Sequence, residues 1–457
     1  MRAWELFDLG MRYLIPGILF IIMMGVILFG VGRIWEKRYG KRENFPWKKM
    51  ILYGAFVCYL LVIFGATTLS RGAFYENGIR LKLFYSYLDA WNDFSLMEWR
   101  NIILNILMFV PLGMMLPYVH KRFRKAGWTY LAGLGLTLII EMVQLIFQCG
   151  IFEPDDLMNN LAGAMIGYGL YRIVRDFRDK RNLLYQIPLA LVTVAFVWIF
   201  VSYELQELGN LHSEYIVRQD VKAVKTSLEF SEEEKYLPVY QVPMASLKET
   251  AAKAEEVFSM FGDELDISTE DAYENMVLYY SKNQKSIWID FRGETYRYAD
   301  FTLLFGDVES VNGQDLEEDK VRLVLEQAKV DLPEGMIYVP YENGYGLKAE
   351  LIEQDGVVYD GIVECEYTPD GDISRLDYSM VKCHFYKEFE TISQAEAYRR
   401  LVNGEFYYPR DEKWELEIYD AYLVYEIDSK GFYQPVYRFD AFINGNDGYI
   451  IIPAIDK

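Results

Sequence analysis

Hydrophobic positions fall into two patterns along this chain of 457 residues, long unbroken apolar runs up to about residue 204 and short interrupted ones after it. Crossing a hydrocarbon core of about 30 Å takes about 20 mostly apolar residues at about 1.5 Å each. Six segments meet that requirement: Tyr13 to Gly32, Met50 to Thr68, Ile102 to Val119, Trp128 to Phe147, Leu157 to Val174 and Leu184 to Tyr203. The pattern predicts a bundle of six transmembrane helices over residues 1–204, followed by a separate α+β domain over 205–457. The first run has no small-residue cleavage site and more spans follow it, so it reads as a retained helix, not a removed signal.

Charge sharpens this division. Residues 1–204 hold 22 Lys and Arg against 15 Asp and Glu, whereas the remainder holds 24 against 52. Cytoplasmic loops carry the excess of basic residues. Sixteen Lys and Arg lie in the loops after the first, third and fifth predicted spans, among them Arg33, Lys121, Arg122, Arg172 and Arg181. Four (Arg71, Arg80, Lys82 and Arg100) lie between the second and third, and none in Gln148 to Asp156. Both termini and the acidic domain are thereby predicted outside a bacterial-type cell membrane. Trp91, Trp99, Phe74 and Tyr75 are expected as an interfacial aromatic girdle. Phosphate would be repelled by so acidic a domain, which argues against a nucleic-acid partner.

Polar side chains within spans are costly and usually face a bundle interior. Asn101 and Asn105 are four apart in the third span, Glu141 and Gln144 three apart in the fourth, and Asp156 and Asn160 four apart where the fifth begins, with Asp155 beside them. With the orientation above, Asn105 and Asn160 lie ~6 Å, Gln144 ~8 Å and Glu141 ~12 Å below the outer boundary. These residues are expected to line an outward-facing polar pocket; the simpler reading is that they fasten the helices together. Gly163 and Gly167, four apart, would let the fifth helix approach a neighbour closely, and Pro111 and Gly113 would kink or loosen the third.

The motifs Asn101-Ile-Ile-Leu-Asn105 through Phe109-Val-Pro111-Leu-Gly113, Glu141-Met-Val-Gln144, and Phe152-Glu153-Pro-Asp155-Asp156-Leu-Met-Asn159-Asn160-Leu-Ala-Gly163 together resemble the VanZ-like family of membrane proteins over about residues 50–175. The resemblance implies an integral membrane protein, with low-level resistance to the glycopeptide teicoplanin as the phenotype of the family's named member. Family members often carry an Arg shortly before the Asp-Asp pair, where this chain has Gly150.

In the acidic domain, Tyr- and Val-rich runs between Gly-, Asn- and Asp-marked turns read as strands. Ile267-Ser-Thr-Glu-Asp-Ala-Tyr273 and Ile392-Ser-Gln-Ala-Glu-Ala-Tyr398 echo one another, each with a Ser three residues before Asp271 or Glu396. Each is expected to cap a helix, followed by hairpins at Ser286 to Phe291 and Thr295 to Phe301, and at Ala421 to Ile427 and Gln434 to Ile443. Two internal repeats, about 205–310 and 311–457, follow from this echo. The arrangement resembles the extracytoplasmic PepSY-type and YycI-type domains of Gram-positive envelope proteins. Cys365 and Cys383 fall where a disulfide is permitted, and the alternative is two buried small hydrophobes. Cys58, Cys149, His120, His212 and His384 form no metal-ligand spacing. No cofactor, P-loop or nucleophile motif is expected. Glu232-Glu233-Glu234 and Glu317-Glu318-Asp319 read as solvated faces, without the glycine-centred spacing of a calcium loop.

Three functions are consistent with this reading. The leading one is a non-enzymatic envelope protein whose pocket meets a membrane lipid or lipid-linked wall component. The second is an intramembrane enzyme acting on a lipid headgroup, with Glu141 and Asp156 as acid and base. The third is a sensor whose outer domain binds an envelope protein or peptide partner and whose bundle is an anchor.

Overall fold

A computed structural model describes residues 47–456 except 66, 68–77, 95, 149, 176, 178, 215–217, 273–275, 294, 305–317, 328–329, 331, 342–343, 369–371 and 408–412; before residue 47 it describes only Gly25, Gly30, Arg33, Ile34, Lys37 and Arg38. The predicted span Tyr13 to Gly32, the aromatics Phe74 and Tyr75, and Cys149 lie outside these residues, apart from Gly25 and Gly30. The chain divides into two compact units, residues 1–206 and 207–457.

The first unit is helical: α1 (Trp47–Phe64), α2 (Tyr85–Asn92), α3 (Leu96–Val119), α4 (Ala126–Ile146), α5 (Pro154–Arg175) and α6 (Ile187–Leu205), with two short parallel strands, β1 (Gly78–Ile79) and β2 (Ile151–Phe152). Among the described residues, three stretches, Met97–Val119, Ala126–Ile146 and Arg181–Leu205, are long and apolar enough to cross a membrane. The N-terminal turns of α5 carry Asp155, Asp156, Asn159 and Asn160, and its last turn carries Arg172 and Arg175, which lowers its hydropathy. Its buried face, including Gly163, Ala164, Gly167 and Tyr168, packs within the unit. A helix surrounded by protein needs no continuous apolar surface.

The closest packing joins α3 and α5. A Cβ added to Gly163 would lie 1.9 Å from the Ile106 carbonyl oxygen, one on Gly167 1.9 Å from that of Val110, and one on Gly113 2.0 Å from that of Ala164. Small residues thus let the two backbones meet, as the four-residue glycine spacing predicts. Pro111 does not end α3, which continues to Val119, and Gly113 acts as a contact surface. Trp99, expected at a membrane interface, is 2% exposed and packs on Phe196 and Phe200 of α6. Its large ring is spent on helix packing.

The second unit is rich in sheet. Its strands are β3 (Asp220–Thr226), β4 (Lys235–Gln241), β5 (Leu265–Ala272), β6 (Met276–Ser281), β7 (Lys285–Asp290), β8 (Tyr296–Asp300), β9 (Ile337–Tyr341), β10 (Gly344–Gln354), β11 (Val357–Tyr367), β12 (Ile373–Tyr378), β13 (Val381–Thr391), β14 (Lys413–Ile427), β15 (Phe432–Ile443) and β16 (Asn446–Pro453). Among the described residues they join in the order β3-β14-β15-β4-β13-β11-β12-β8-β7-β6-β5, with β10 and β9 continuing from β11, and β16 from β15. Among the described residues, three longer helices, α7 (Leu247–Met260), α8 (Glu318–Gln327) and α9 (Gln394–Val402), each place buried side chains in the cores of this unit.

Two expectations are corrected here. Ile267 to Ala272 belong to β5, paired with β6 through Asp271 and Leu278, so no helix begins at Ser268. The capped helix of that region is α7, where Ser246 and Glu249 exchange hydrogen bonds in a full capping box. Ser393 does cap α9, accepting from the Glu396 backbone N–H. The pattern of a Ser followed by an acid three residues later is local, and strand pairing overrides it where the flanking residues suit a sheet. The predicted division near residue 310 also fails to separate two cores. One core draws on Val257, Phe258, Ile287 and Tyr298 from before it and on Leu325, Tyr345, Leu376 and Met380 from after it. A second is built around Trp414, Phe406, Phe439 and Ile450. Cys365 lies in the first of these cores and Cys383 in a third group with Val358 and Tyr433; both thiols are free.

The segment that opens this unit is tied down. Gly209 N–H donates to the Asp428 carboxylate at 2.6 Å, Asn210 N–H to Ser429 Oγ at 2.8 Å, and Ser213 Oγ to Glu426 at 2.7 Å. Asp428 is fully buried and also accepts from the Lys430 and Phe432 backbone N–H groups and the Gln434 amide. Burial pushes the Glu426 carboxyl above the usual carboxylate range.

Candidate functional site in the helical unit

Four residues in the first two turns of α5 reach three other helices. Asp155, fully buried, accepts from the backbone N–H groups of Phe84 at 2.6 Å and Ser86 at 2.9 Å. It therefore caps α2 from a distant part of the chain. The first turn of a helix leaves backbone donors without intrahelical partners, and away from water they need an acceptor. Asp156 accepts from the Asn105 amide of α3. Asn159 accepts from the Tyr87 hydroxyl of α2, and Asn160 donates to Thr137 Oγ1 of α4 at 2.8 Å. Carboxylates in this turn also lie at the positive end of the α5 dipole.

On α4, Thr137, Glu141 and Gln144 share a buried face, being four and three residues apart. Gln144 donates to the Thr67 carbonyl at 2.8 Å. Glu141 is 2% exposed and turned inward, away from the outer surface of the unit.

Of the seven residues expected to line a pocket, Asn105 and Asp156 are joined directly and both are partly exposed. Glu141, Gln144 and Asn160 lie buried, and Asp155 is committed to the α2 cap. Asn101 does not join them: it is exposed on the surface of α3, where Arg100 donates to its side chain. A four-residue step turns a helix by about 40° beyond one full turn, enough to carry Asn101 off the packed face.

Sequence reasoning missed Tyr87, Ser86, Thr67, Thr137 and Asn159 as partners. Thr137 could have been found one turn before Glu141. Tyr87 sits in a short amphipathic helix inside what reads as a loop, and no apolar run announces it. Arg80 was also passed over. It follows β1, donates to Glu153 at 2.8 Å and stacks over Tyr85 at 4.2 Å, placing a cation beside the acidic run that precedes α5. Among the described residues no group of His, Cys, Asp and Glu could hold a metal ion.

Residues 50–175 match the VanZ/LLP1 family model. Protein VanZ of Enterococcus faecium is 28% identical over 88 residues, which are 19% of this chain and 53% of that protein. The chain thus spans about half the length of this curated relative. A crystal structure of an uncharacterized protein from Eubacterium rectale overlaps 52% of this chain and 88% of its own, at 10% identity and a TM-score of 0.27, a likeness too slight to carry a fold argument. The matched region runs from the fourth residue of α1 through α5 and takes in every polar contact of this helical site. Residues 50–175 are thus similar to the VanZ-like family.

Proposed function

We propose that this chain is a multi-pass cell-envelope membrane protein whose six helices present the Asn105–Asp156 pair, backed by Glu141, to the outer leaflet. There the cluster meets the headgroup of a lipid or lipid-linked wall component and contributes to tolerance of teicoplanin-type glycopeptides. The domain after residue 206 lies on the outer side, and all sixteen basic residues of the alternate loops lie inside.

One observation carries the reading. Glu141 is a buried carboxyl in a helix apolar enough to span a membrane, whereas fastening two helices there needs only an amide or hydroxyl. A carboxylate at the centre of a span costs about 2.5–3.5 kcal/mol on insertion scales, while a polar pair contributes about 0.6 kcal/mol on average. The balance favours a role beyond packing. Similarity to that family over the same residues supports the envelope setting.

The test replaces Glu141 by Gln and Asp156 by Asn in the native host and measures teicoplanin tolerance at matched protein level. Tolerance in each variant is expected to fall toward that of a deletion strain. Wild-type tolerance in both would refute the role of the cluster.

A further inference from the structure

The outer face of the β14–β15–β16 sheet carries an aromatic platform that the helical site leaves unused. Tyr419, Tyr422, Phe442 and Tyr449 are 38 to 49% exposed, an unusual concentration of large rings on one side of three strands. Register places them together: Tyr422 opposes Arg438, Tyr449 opposes Asp440, and Phe442 lies between Glu417 and Asp447. The rings are held in place. Tyr419 donates to Asp447 at 2.6 Å and packs on Phe442 at 5.2 Å between centroids, while Tyr422 donates to Asp440 at 3.1 Å. Arg438, fixed by Asp440 at 2.7 Å, lies 4.0 Å over the Tyr449 ring and 5.8 Å from that of Tyr422.

Charge selects the partner. Glu415, Glu417, Asp420, Asp440 and Asp447 belong to this face or its rim, against Arg438, Lys413 and, on neighbouring β3, Lys222 and Lys225, and the surrounding unit is strongly acidic, with 52 Asp and Glu against 24 Lys and Arg after residue 204. An anionic membrane or wall polymer would be repelled, and a second copy would set like charges against one another. Aromatic faces attract ammonium and guanidinium groups, and Arg438 on Tyr449 already displays that contact within the fold. The patch extends roughly 10 Å across three strands and 14 Å along them, the scale of a peptide segment. We infer that this sheet face binds a basic, Lys- and Arg-bearing peptide segment of another envelope protein. Rigid Tyr rings supply contact area at low entropic cost, and the carboxylate rim steers the approach.

The test uses the full chain in phosphatidylcholine nanodiscs, with fluorescent octa-arginine as the probe and anisotropy as the readout. Because the whole domain is acidic, charge alone could hold such a probe, so the decisive variant keeps every charge. Phe442→Ser with Tyr449→Ser is expected to weaken binding about tenfold, the loss of one or two good aromatic contacts, with an unchanged melting transition. A second variant, Tyr419→Ser, is expected to lower affinity in the same direction. Equal affinity in the wild type and both variants would overturn the proposal by reducing the interaction to diffuse charge. Failure of the wild type to bind would overturn it too, as would preferential capture of neutral chitohexaose or a variant-sensitive dimer in light scattering, which would assign the face to a glycan or to a second copy.

Discussion

At the scale of single residues, the strongest constraint in the helical unit is steric. Gly163 has the Ile106 carbonyl oxygen 1.9 Å from where a methyl group would sit, and backbone cannot swing aside as a flexible side chain can. Gly163→Ala is expected to destabilise the α3–α5 contact by about 1–3 kcal/mol, the range for overpacking, read as a lower melting temperature in detergent. Unchanged melting would contradict the packing described. The thiols of the outer domain make a second case. Burial pushes Cys365 and Cys383 each up to about 12 from an ordinary 9.0. Both stay neutral in the fold, so the stability this confers is complete below the unfolded value and lost as pH rises from about 9 towards 12. Native protein at mildly alkaline pH is expected to resist iodoacetamide at both positions and to react after denaturation. Ready labelling of the native form, or a disulfide between the two in non-reducing mass spectrometry, would contradict their separate burial.

At the scale of elements, capping and strapping decide local order. Ser246→Ala removes the cap of α7 and is expected to cost about 1 kcal/mol, measurable as a shift in chemical unfolding of the outer unit. Ser268→Ala, at the false echo, has no helix to uncap. Asp428→Ala leaves the N–H groups of Gly209, Lys430 and Phe432 without their carboxylate, at about 1–3 kcal/mol for a stranded buried group. Limited proteolysis is expected to accelerate within 206–214, and an unchanged cleavage pattern would argue against the strap. The sequence made some of these elements legible and hid others. Apolar runs marked Met97–Val119, Ala126–Ile146 and Arg181–Leu205 because their composition alone satisfies hydrocarbon, and Gly163 and Gly167 announced the close approach through their spacing. Tyr- and Val-rich runs bounded by turn residues located the strands at 285–290 and 432–443, read from the sequence as Ser286 to Phe291 and Gln434 to Ile443. By contrast, α2 is eight residues with polar and aromatic positions mixed, and its cap comes from Asp155, some seventy residues away. No local window contains that information. The polar candidates were visible because charge and amide groups are rare in spans, but their partners depend on helix rotation, which is why Asn101 was grouped wrongly with Asn105.

At the scale of the molecule, a basic apolar helical half and an acidic sheet-rich half perform different physical tasks. In the first, α5 is the centre: its opening turns bond to α2, α3 and α4, and its glycines seat it against α3. Such a hub can fasten a bundle or present a carboxylate at its rim, and Asp156, partly exposed beside Asn105, is where the two roles separate. A residue used only as glue is shielded from the outer solution, whereas one at a headgroup site is reachable from it. The direct measurement is thiol labelling of Asp156→Cys, in a chain whose four native cysteines are replaced by Ala, with a charged membrane-impermeant reagent added to intact cells. Labelling from the outside, blocked by prior treatment with a neutral permeant reagent, is the predicted result. Labelling confined to inverted vesicles, or only after denaturation, would contradict the outward-facing cluster on which the proposed function rests.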